Sequence, residues 1–161
     1  MPAKQASSSG DVLGFKSDVF TQIIKWGAIA GAIAGAIVYF GTFLGTMFSW
    51  FGLVAAAFGS SFSSFSVYAL VKEIIETAIY GIVIAIVAVK FYDKIPFKTL
   101  FMKIFGVALV ITLVIWFIFG AFILIFAGPI TFVIDLAAIV IADFVMAKLI
   151  AKNVGPLVGL Q

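Results

Sequence analysis

Four apolar runs constrain this chain before any motif does. They cover about 23–48, 74–89, 104–126 and 129–147, and each reads as a segment that crosses a bilayer. A crossing helix needs ~20 predominantly apolar residues, and backbone groups in hydrocarbon must bond within their own segment. A barrel would need short alternating strands, whereas these runs are continuous. The expected fold is therefore an all-α integral membrane protein, a four-transmembrane-helix bundle. Composition agrees: 65% of the 161 residues are hydrophobic and only 11% are charged. A soluble domain carries about 25% charged residues and could not cover so much apolar surface with polar groups.

Lysine placement predicts the orientation. Lys4, Lys16 and Lys25 precede the first run. Lys90, Lys94, Lys98 and Lys103 separate the second from the third, and Lys148 and Lys152 follow the fourth. Nine of the ten lysines thus fall on one side, which the positive-inside rule makes cytoplasmic. Both termini are expected there, in the plasma membrane of a prokaryote. By this reading 1–20 is a polar N-terminal arm, 21–152 the membrane domain and 153–161 a C-terminal tail.

The outer connection, 49–66, is uncharged. Phe51, Val54, Ala55, Phe58, Phe62 and Phe65 share one face at helical spacing, with Ser60, Ser63 and Ser64 opposite. That pattern predicts an amphipathic helix lying in the outer interface, with a re-entrant segment as the alternative.

Within the first run, Gly27, Gly31 and Gly35 recur every four residues with alanines beside them. A ridge without side chains lets another helix approach closely, and such contact drives helix association in lipid. The partner is a helix of this chain or another subunit; a glycine zipper lining a pore is the sharper version. The third run, by contrast, is bulky all round, as suits a surface facing lipid or a broad apolar partner.

The charges inside the runs are the candidate functional groups. Counted from the lysine anchors, Glu76 lies 14 residues from Lys90, Asp135 lies 13 from Lys148 and Tyr39 lies 14 from Lys25. At ~1.5 Å per residue all three sit ~20 Å above the inner boundary. Lys72 and Glu73 are higher, as a collar at the outer interface. Asp143, only five residues from Lys148, is expected near the inner headgroups, solvated or paired with lysine. Two readings of the Glu76/Asp135 layer follow. In the structural one, Lys72 neutralises Glu76 one turn away, and the other acid bonds to Tyr39 or Tyr80. In the functional one, the two acids share a proton or cation.

Other chemistries are poorly supplied. The chain has no Cys, no His and no Arg, which removes thiolate and imidazole metal ligands, the usual near-neutral base and bidentate phosphate clamps. No catalytic motif, cofactor site or metal site is expected, and the lysines read as topology, not as a nucleic-acid surface. The function expected from these features is an accessory or structural subunit of a larger membrane complex, acting by helix packing on lipid and on other membrane subunits. The alternative is a small proton or cation channel or transporter, with Glu76 and Asp135 in its conduit and a homo-oligomer as its form.

Overall fold

A computed structural model describes residues 11–57 and 65–160. Two short strands, β1 (Asp11–Val12) and β2 (Phe15–Lys16), pair antiparallel around Leu13 and Gly14. Five α-helices follow: α1 (Ser17–Met47), α2 (Trp50–Ala57), α3 (Val67–Lys90), α4 (Leu100–Phe126) and α5 (Pro129–Val158), with a 3₁₀ turn at Tyr92–Lys94 after α3. Three helical stretches are long and apolar enough to cross a membrane: α1, Leu100–Ile118 of α4, and α5. At 24 residues α3 has the length as well, but it carries Lys72, Glu73 and Glu76 in its first half.

The helices start where local chemistry allows. Ser66 and Thr99 are the N-caps of α3 and α4, their hydroxyls accepting from the Ala69 and Met102 amides at 3.2 Å. Gly128, at φ +97°, makes the tight α4–α5 turn, and Pro129 opens α5 at a position that needs no amide donor.

Three boundaries differ from the apolar runs. α1 starts at Ser17, α3 at Val67 and α5 continues to Val158, so 153–158 is helix and not tail. Hydropathy marks where side chains turn polar, whereas the helical backbone runs on past that point, in α5 through Asn153, Gly155 and Pro156. In the 49–66 connection, α2 is helical over Trp50–Ala57, while Phe58 and Phe62 lie outside the described residues. Phe65 packs on Tyr39, Phe40 and Phe43, with ring centroids 5.7–6.4 Å apart.

α1 packs along both α3 and α5, and α4 closes the bundle mainly against α5. The glycines explain the closeness. A Cβ built on Gly27 would lie 2.8 Å from the Ile82 Cα, one on Gly31 2.8 Å from the Ala78 Cα, and one on Gly35 2.8 Å from the Glu73 carbonyl oxygen. These are backbone-to-backbone approaches that no side chain permits, and α3 answers with its own Gly81, 2.9 Å on the same measure from the Gly31 Cα. Further along α1, Gly41 meets Ala138 and Gly45 meets Asp135, both on α5. The ridge read from the sequence therefore packs inside this chain.

The largest fully buried side chains are Ile23, Ile84, Leu100, Ile104, Met146, Ile150 and Val154. All lie toward the lysine-bearing end, where the start of α1 and the ends of α3 and α5 meet around Phe15, Val19, Val89 and Val158. Here Lys103 departs from its expected role as an exposed anchor. It is 4% exposed, its ammonium donating to the carbonyls of Tyr92 at 2.5 Å and Ile95 at 2.6 Å. At the other end, the Trp50 amide donates to the Ala127 carbonyl at 3.1 Å and joins the two outer connections.

Candidate functional site: a cavity between the helices

Glu73, Thr77 and Tyr80 stand at i, i+4 and i+7 on α3, a spacing that places them on one helical face. That face looks into a cavity of about 250 Å³ bounded by all four long helices. α1 contributes Ala34 and Val38, α4 contributes Thr112 and Ile115, and α5 contributes Asp143 and Met146. Water occupies about 30 Å³ per molecule in the liquid, so the space holds several. Its titratable groups are Glu73, Tyr80 and Asp143.

Polar groups of α3, α4 and α5 face this space. Tyr80 donates to the Ala108 carbonyl at 3.2 Å, and its hydroxyl stands 3.5 Å from that of Thr112. Thr112 and Asp143 line the same cavity. Asp143 is only 5% exposed, and its Oδ2 has no hydrogen-bond partner. Glu73 is half-buried at the outer edge, and Thr77 donates to the Glu73 backbone carbonyl at 2.6 Å. A buried, unsatisfied carboxylate oxygen is costly, so the arrangement calls for something to meet it.

The expected Glu76/Asp135 layer is not assembled. Glu76 points outward, 56% exposed, and pairs at 3.4 Å with Lys72, itself 57% exposed. Asp135 is 7% exposed and lies in the α1–α5 interface opposite Gly45, its Oδ1 without a partner. One turn earlier, Thr131 donates to the Gly45 carbonyl at 2.8 Å. Tyr39 reaches neither acid. Its hydroxyl accepts from the Ser66 amide at 2.8 Å and donates to the Ser66 carbonyl at 3.0 Å.

Helix phase and helix ends account for the differences. Glu73 shares a face with Thr77 and Tyr80, while Lys72 and Glu76 sit one turn apart on the adjoining outer face. Asp143, expected to be solvated or paired with lysine, is instead buried and faces the cavity with Tyr80 and Thr112. Counted from Lys152 it is nine residues in, matching Tyr80 at ten from Lys90 and Thr112 at nine from Lys103. All three then lie at ~13–15 Å, which is why they meet. The Glu73–Thr77–Tyr80 stripe was legible as a helical pattern; its inward direction was not.

The charged and hydroxyl groups lining the cavity are oxygen donors, two carboxylates and three hydroxyls, with the Met146 thioether beside them. The carboxylates and hydroxyls suit a proton or a hard cation. Among the described residues, no group of three or more His, Cys, Asp or Glu could hold a metal ion. Among known proteins, no family model, no curated sequence and no solved structure matches the chain.

Proposed function

We propose that this chain is a four-span integral membrane protein that takes up a proton or a monovalent cation in the cavity between its helices and acts as a small transporter. One observation carries the reading: a buried carboxylate oxygen of Asp143, without a partner, beside a mostly apolar cavity that Glu73, Tyr80 and Thr112 also line. Ionisable groups within a membrane bundle face the interior and mark ion or proton paths. Counting α3 as the fourth span follows from its ~36 Å length and its packing along α1. The lysine-bearing ends then face the cytoplasm in a prokaryotic plasma membrane, and α2 lies at the outer interface.

The accessory-subunit reading rests on small size, the absence of cofactor ligands and little chain outside the helices, together with the glycine ridge. Gly27, Gly31 and Gly35 are occupied by α3, and Gly41 and Gly45 by α5, so the ridge itself does not call for a separate partner. The test is reconstitution in liposomes with imposed gradients of H⁺, Na⁺ or K⁺. The expected result is a flux that Asp143→Asn removes and Glu76→Gln leaves intact. Absence of flux from the intact protein, with foreign subunits co-purifying in mild detergent, would return the reading to an accessory subunit.

A further inference from the structure

The cavity has two unlike ends. At the outer end Glu73 is half-buried, and the next residues on that helix, Val71 and Ile75, are 47% and 54% exposed. The hydrogen bonds between α3 and α4 are made lower down, by Tyr80 with Ala108 and Thr112, so the two helices meet below Glu73. At the inner end the surroundings are dry. Ile84, Ala88, Leu100, Ile104, Met146 and Ile150 are each 1% exposed or less and carry no hydrogen-bonding side-chain group. From Asp143 to Ile150 this packing extends ~10 Å along α5. Beyond it stands the ammonium of Lys103, buried and held by two backbone carbonyls.

We infer that the Asp143 cavity is a blind, one-sided site, reached from the Glu73 end and sealed from the lysine-bearing end by the apolar layer around Ile104. The inference rests on the cavity being the functional site and specifies how a small cation reaches it. A cation entering past Glu73 meets the hydroxyls of Thr77, Tyr80 and Thr112 and then Asp143. Moving further would take a charge through a layer with no group to replace its water, a step that apolar surroundings oppose strongly. The conformation described is therefore one half of an alternating-access cycle and not an open pore. Release to the other side requires the helices that make the seal, α3, α4 and α5, to part.

The chain contains no Cys, so each introduced thiol is unique. Thr112→Cys reports the cavity, Ile104→Cys and Ala108→Cys the seal, and Lys98→Cys the exposed lysine-bearing end. Sealed vesicles are treated with a cationic, membrane-impermeant methanethiosulfonate, added first outside and then also trapped inside. Thr112→Cys is expected to react only from the side opposite to Lys98→Cys. Ile104→Cys and Ala108→Cys are expected to react from neither side until the protein is denatured. Reaction of Thr112→Cys from the Lys98 side, its silence from both sides, or reaction of a seal thiol in the folded protein would overturn the inference. Gel-filtration and thermal midpoints of each variant separate misfolding from access. The two proposals fail separately: one-sided labelling with Asp143-independent flux sinks the transport reading alone. Asp143-dependent flux with labelling from the Lys98 side sinks the one-sided access alone.

Discussion

The hydroxyl of Tyr39 closes a ring with the backbone of Ser66, 27 residues further along the chain, accepting from its amide and donating to its carbonyl. Ser66 is also the N-cap of α3, so one side chain of α1 fixes where the next long helix begins. Tyr39→Phe keeps the ring contacts and removes both bonds. It should lower stability by about 1–2 kcal/mol, since interhelical bonds in membrane bundles seldom exceed that. A thermal midpoint in detergent equal to that of the unaltered protein would contradict the structural role assigned to Tyr39.

Gly31 faces the backbone of α3 at Thr77 and Ala78. Gly31→Ala must push the two helices apart and should cost about 1–3 kcal/mol, the usual range for overpacking. Ile33, two residues on and 41% exposed, is the control: Ile33→Leu should change stability by less than about 0.5 kcal/mol. Equal midpoints for the two variants would show that the α1–α3 contact is looser than described.

Lys103 holds the connection between α3 and α4 through the carbonyls of Tyr92 and Ile95. Lys103→Met retains much of the apolar stem but leaves both carbonyls without their ammonium donor. A loss of about 1–3 kcal/mol is expected, with faster protease cleavage between residues 91 and 99. Unchanged cleavage would mean that the 3₁₀ turn holds itself.

Glu76 and Asp143 should respond in opposite ways. The Lys72–Glu76 pair is exposed on the outside of the bundle, so Glu76→Gln should alter stability by no more than about 0.5 kcal/mol and leave ion uptake unchanged. Asp143→Asn replaces the unpartnered carboxylate with a neutral group of the same shape. Uptake should disappear while the fold persists, as read by flux and thermal midpoint on the same preparation. Reversal of the two phenotypes would restore Glu76 as the functional acid.

Composition and the apolar runs determined, by themselves, a mostly helical chain, three of whose helices are long and apolar enough for lipid. The lysines marked which ends of those helices belong together, and the glycine spacing identified α1 as a helix to be closely approached. These properties depend on the transfer of side chains between water and hydrocarbon, which is nearly independent of neighbours. The tertiary structure decided which helix fills which glycine notch, and that Glu73 rather than Glu76 faces inward. It also placed Asp143 level with Tyr80 and Thr112. The reason is geometric: a helical residue advances 100° and ~1.5 Å, so direction and depth follow only from where a helix starts, where it ends and how it is rotated against its neighbours. The continuation of α5 to Val158 and the seating of Gly31 on Ala78 set those quantities, and both are properties of the assembled bundle.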